Sequence, residues 1–139
     1  MPALDRYHDA VRNALIKDGW TITADPLTLR FGRDRVHIDL AAERLIVAEK
    51  DMERIAVEIK TFSGASPIAD FEDALGQYVL YRMALRRAEP DRMLYLAVPN
   101  SVVESQFRTR ELWKAFLTDE HGKVLSFDEE REEVVEWLS

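Results

Sequence analysis

Apolar positions in the first part of the chain recur at helical spacing. Tyr7, Val11, Ala14 and Leu15 mark one face of the segment from Leu4 to Asp18, and Gly19 follows as a stop, which predicts an amphipathic helix. From Trp20 the period shortens to that of strands, with candidates at Trp20 to Thr23, Leu27 to Phe31 and Arg35 to Leu40. Gly32-Arg33-Asp34 turns the last two into a hairpin. A second hairpin is expected from Leu45 to Lys50 and Ile55 to Phe62, around the polar break Asp51 to Arg54. Ser66 as cap and Pro67 at the first helical position open a helix reaching about Arg87, striped by Ile68, Phe71, Leu75, Tyr78 and Val79. Gly76 inside that stripe predicts a close approach to another element. Arg92 to Val98 reads as a strand stopped by Pro99, and Ser101 begins a helix running toward Phe116. Lys123 to Phe127 and Val134 to Leu138 are short strands. This order predicts an α/β fold, a central mixed β-sheet flanked by helices, as one domain over residues 1–139.

The strand from Ile55 to Phe62 breaks its own apolar pattern. Side chains alternate faces along a strand, so Glu58 and Lys60 share one face while Val57 and Ile59 take the other. Burying an ionised carboxylate or ammonium costs several kcal/mol unless it is paired or holds a metal. A carboxylate two residues before a lysine at a strand edge suits Mg²⁺ held by the acid, with the ammonium positioning a water for phosphodiester cleavage. The bland reading is an exposed strand face with two solvated charges, and Glu-x-Lys is a short pattern.

Composition narrows the chemistry. The 139 residues contain no cysteine, so disulfides, thiolate zinc sites and cysteine nucleophiles are excluded. No amino-terminal apolar run or long apolar span marks a signal peptide or membrane helix, so a cytoplasmic protein without membrane attachment is expected. The net charge of −7 argues against phosphate as a partner until its distribution is considered. Residues 119–139 hold eight acids against Lys123 and Arg131, a net of −6, so residues 1–118 carry only −1. Within that part Arg30, Arg33 and Arg35 cluster at one turn, and Arg82, Arg86 and Arg87 lie along one helix. Such runs meet phosphates or simply face solvent. The acidic stretch suits a protein partner or solvent.

One acid rarely holds Mg²⁺ alone, so a second carboxylate is needed from a neighbouring strand. Asp39, closing Val36-His37-Ile38-Asp39, and Glu43, just before the partner strand, both qualify, and spacing does not choose between them. On the following helix Gln77 and Tyr81 stand one turn apart, an amide and a phenol able to bond a nucleic-acid backbone or orient Lys60.

Asp39 or Glu43, then Glu58-Ile59-Lys60, then a helix with Gln77-x-x-x-Tyr81 resembles the PD-(D/E)XK nuclease superfamily. Segments 7–15 (YHDAVRNAL), 17–23 (KDGWTIT), 48–50 (AEK), 55–60 (IAVEIK), 74–78 (ALGQY) and 94–99 (LYLAVP) are similar to the XisH family, the fdxN-element excision controlling factors. The likeness spans nearly the whole chain. It implies a restriction-endonuclease-like domain acting in excision of a DNA element, with DNA and a XisI-like protein as partners and homo- or hetero-oligomers in prospect. Carried over by position, Asp39, Glu58, Lys60 and Gln77 would be catalytic, and Asp39, Glu43 and Glu58 would hold Mg²⁺ or Mn²⁺. His8 and Asp9 are candidates for a further ligand. The proline that often precedes the first acid in the superfamily is absent at both Asp39 and Glu43. The competing expectation is a non-cleaving accessory that binds DNA or the partner protein to control a recombinase.

Overall fold

The computed structural model describes residues 3–139. Its centre is a six-stranded mixed sheet in the order β1 (Thr21–Ala24), β4 (Leu40–Ile46), β5 (Asp51–Ile59), β6 (Arg92–Pro99), β7 (Val124–Asp128) and β8 (Glu133–Leu138). β5, β6 and β7 run parallel and the outer pairs antiparallel. A separate two-stranded ribbon is formed by β2 (Leu27–Phe31) and β3 (Asp34–Ile38). Helix α1 (Ala3–Lys17) covers one face of the sheet, while α2 (Pro67–Ala88) and α4 (Glu111–Thr118) cover the other.

The apolar alternation of β5 explains the two layers. Ile55 and Val57 pack with Val11, Leu15 and Trp20 on the α1 side, and Ala56 joins Phe71, Tyr78 and Trp113 on the α2 side. Glu58 has the parity of Ala56, so it faces the α2 side of the sheet. A parallel step from β5 to β6 requires a crossover, which α2 supplies. Its start is as expected from sequence: Ser66 Oγ accepts from the backbone N–H of Ala69, with Pro67 directly after it.

Three expectations are corrected. The segment Asp51 to Arg54 is strand, not a polar break, and the turn lies at residues 47–50. Glu53 and Arg54 are neutralised across the hairpin, where Glu43 opposes Arg54 and Arg44 opposes Glu53, at 3.1 and 3.0 Å. The helix expected from Ser101 to Phe116 is divided into α3 (Asn100–Val102), a π-helical turn at Val103–Phe107 and α4. Gly76 meets nothing within 4 Å of the position a Cβ would take, so it marks no close approach. The acidic carboxy-terminal stretch is built into the sheet as β7 and β8, with Glu136 paired to Arg108.

Candidate functional site

Asp39 sits at the corner where the chain leaves the ribbon and enters the main sheet, between β3 and β4. The register that opposes Leu40 to Val57 places it beside Glu58. Two backbone bonds fix the pair: the Asp39 N–H donates to Glu58 Oε1 at 3.1 Å, and the Ile59 N–H donates to Asp39 Oδ2 at 2.8 Å. Each carboxylate thus commits one oxygen to an amide. Asp39 Oδ1 and Glu58 Oε2 are the oxygens not committed to a backbone amide.

Lys60 lies just past the end of β5, its N–H bonded to the Ala97 carbonyl at 2.9 Å. Its Nζ is 3.9 Å from Glu58 Oε2 and 3.6 Å from Asp73 Oδ2. Asp73 was not a candidate from sequence. It begins a ridge on α2 continued at one-turn steps by Gln77 and Tyr81.

The electrostatics follow from burial. Glu58 is only 7% exposed, and its carboxyl is pushed up to about 8, first by desolvation and next by the negative charge of Asp39, with Lys60 opposing both. Tyr81 is pushed up to about 12 by desolvation and then by the charges of Glu58, Asp39 and Asp73, so its phenol keeps its proton. The proton kept by Glu58 relieves the excess negative charge that two ionised carboxylates would hold beside one ammonium.

These groups open on a pocket of about 420 Å³ that Asp39, Glu58, Lys60 and Asp73 line together with the Ile59 backbone segment and His8. Gly64 in the adjoining loop donates its N–H to Asp70 Oδ2 at 2.9 Å, and an added Cβ there would lie 2.6 Å from the same carboxylate.

The remaining candidates separate. Glu43 is four positions along the sheet from Asp39, and its carboxylate is bonded to Arg54 at 3.1 Å and lies 3.5 Å from Arg92, so it is an ion-pair partner away from the pocket. Gln77 does not line the pocket, and its Oε1 is buried without a hydrogen-bond partner. His8 lines the pocket with its Nε2 2.7 Å from Asp25 Oδ1, a carboxylate it shares with Arg12, while Asp9 does not reach the pocket.

Among the described residues no three His, Asp or Glu side chains form a ready metal cluster. The Asp39 and Glu58 pair still fits Mg²⁺, which binds through one or two carboxylates and fills its other positions with water and phosphate oxygens. An acid raised by burial and by its neighbour's charge is what a divalent cation would relieve.

The fold and site together define an α/β domain that presents a carboxylate pair, buried Glu58 and half-buried Asp39, and a lysine at the carboxyl end of a central strand. The family model described as "XisH protein" matches residues 1–135, and the chain belongs to the XisH family. Two solved structures are similar. One is an XisH family protein from Nostoc punctiforme PCC 73102, with 42% identity, a TM-score of 0.86, and coverage of 97% of this chain and 100% of that one. The other is a fdxN element excision controlling factor protein from Anabaena variabilis, with 41% identity, a TM-score of 0.86, and coverage of 97% and 99%. No curated protein matches the chain.

Proposed function

We propose that this chain acts in the control of DNA-element excision through a restriction-endonuclease-like fold with a metal-dependent PD-(D/E)XK site that cleaves DNA. Family membership and the likeness to an excision controlling factor support the first part. The observation that carries the second is the latched Asp39 and Glu58 pair with Lys60 Nζ 3.9 Å away at a solvent-open pocket.

Asp39 Oδ1 and Glu58 Oε2 would hold the cation, beside the Ile59 backbone. When bound, Mg²⁺ or Mn²⁺ supplies charge neutralisation at a phosphodiester and lowers the pKa of water. Glu58 must first release its proton, and Lys60 favours that loss by its charge. Lys60 Nζ then orients an attacking water and offsets charge developing on the phosphate. Asp73, 3.6 Å from that ammonium, fixes where it points. Tyr81 remains a donor beside the pair.

A second reading keeps the fold without the chemistry: an accessory that binds DNA or a XisI-like partner and does not cut. It is favoured by the rim of the pocket, where Asp70 and Asp73 add negative charge that opposes an incoming phosphate. Nicking of supercoiled plasmid in Mg²⁺ or Mn²⁺ separates the two. Cleavage by the wild type that is lost in Glu58→Ala and Lys60→Ala is expected; a Glu58→Ala protein that nicks as fast as wild type would remove the site from the reaction. Saturable metal uptake and DNA binding without nicking would assign the accessory role.

A further inference from the structure

The ribbon β2–β3 has two unlike faces. Leu29, Val36 and Ile38 are buried against the α2 side of the core, with Leu27 and Phe31 packed beside them. The opposite face carries Thr28, Arg30, Arg35 and His37, all exposed. Every one of these is a hydrogen-bond donor, and none is an acid.

Arg30 stands directly opposite Arg35 in the register, and Thr28 opposite His37, their Oγ1 and Nδ1 2.9 Å apart. Like charges facing each other across two strands weaken a hairpin. Nothing local relieves this pair. Among the described residues no carboxylate comes within 4.0 Å of Arg30, Arg33 or Arg35, although the chain has 26 acids to draw on. Arg33 occupies the turn, and the three arginines border one surface depression with Gly32 and Asp34. Arg87, from the end of α2, lies over the Phe31 ring at 5.1 Å on the inner side of the ribbon and so is not part of this outer face. In a chain of net charge −7, this concentration has a direction: β3 ends at Ile38, and the next residue is Asp39.

We infer that the outer face of this ribbon is a docking surface for duplex DNA, gripping backbone phosphates through Arg30, Arg33 and Arg35. The inference rests on the DNA reading above and says where the duplex lies. A two-stranded ribbon fits the width of a major groove and can track its phosphates. Five residues separate Asp39 from the turn, roughly 17 Å of strand, so the arginines fall about five base pairs from a phosphate held at the carboxylate pair. The ribbon thereby supplies the cations that the pocket, rimmed by Asp70 and Asp73, lacks.

The test is anisotropy of a labelled duplex of about two helical turns, titrated with full-length protein in EDTA over a range of KCl concentrations. Replacing Arg30→Gln and Arg35→Gln together is expected to weaken binding at low salt by about tenfold or more. The slope of log K against log salt should also fall by about 2, since each phosphate no longer neutralised removes about 0.9 from it. Arg131→Gln, an exposed arginine in the β7–β8 turn, is expected to bind as wild type. Both altered side chains of the ribbon variant are exposed and their mutual repulsion is removed, so its melting temperature should match or slightly exceed the parent's. An unchanged slope in the double variant overturns the ribbon assignment while leaving DNA binding intact, and so does an equal loss in Arg131→Gln. A wild type that binds no duplex even at low salt overturns the DNA reading itself. Displacement by polyglutamate as effective as by unlabelled duplex would give the face to an acidic protein and overturn the assignment to DNA.

Discussion

Glu58 is the residue on which most of the site's behaviour turns. Its folded pKa, about 8, lies above the ordinary carboxylate value of 4.5, so the metal-free folded protein keeps a proton that the unfolded chain releases. Stability from this group is therefore complete below about pH 4.5 and is lost as pH rises toward 8. Thermal melts in EDTA should show a falling midpoint across that window, and Glu58→Gln should flatten it and raise the midpoint most at the alkaline end. A variant that melts with the same pH dependence as wild type would refute the buried neutral acid. Asp39 and Glu43, equivalent in sequence, should part company. Asp39→Asn is expected to abolish metal uptake. Glu43→Gln should leave uptake intact and cost about 1–2 kcal/mol, because it removes a partner from the buried Arg92; calorimetric titration and melting measure the two effects.

At the level of the elements, the legible and illegible parts of the chain have the same cause. Glu58 and Lys60 were readable because two charges interrupt an otherwise apolar run, and Ser66-Pro67 because cap chemistry is local. The choice between Asp39 and Glu43 was not readable. It depends on a strand ending at Ile38 and on Glu53 and Arg54 being strand residues, and their charges imitate a loop until the opposite strand neutralises them. Asp73 was missed because a lone exposed acid on a helix looks solvated, and only the crossover brings Lys60 to it. The helix break at Arg108 to Arg110 has no proline or glycine to announce it. Glycine mattered instead after α4, where a Cβ on Gly122 would lie 2.3 Å from the Phe116 ring. Phe116 is packed among Phe71, Tyr78 and Phe107 and has no room to withdraw. Gly122→Ala should cost about 2–3 kcal/mol of overpacking strain, read as a lower denaturant midpoint, while Gly76→Ala, on open surface, should stabilise α2 slightly.

Across the whole molecule, the sheet divides its labour by end and by face. The parallel strands β5, β6 and β7 form its middle, and the carboxylate pair lies at the carboxyl end of β5, where open α/β sheets commonly place their sites. The ribbon stands outside that sheet and shares its apolar face with α2, so its polar face is left to the surroundings. No described helix is long and apolar enough to cross a membrane.

The two backbone N–H hydrogen bonds that latch Asp39 to Glu58 and Ile59 join residues only 19 and 20 positions apart, within one hairpin. That hairpin can close before the long crossover through α2 brings in β6. A cation that binds the pair would then act on the folding transition state as well as on the finished protein. In stopped-flow refolding, Mg²⁺ should accelerate the folding limb of the chevron, whereas a centre completed only at the end of folding would slow unfolding alone.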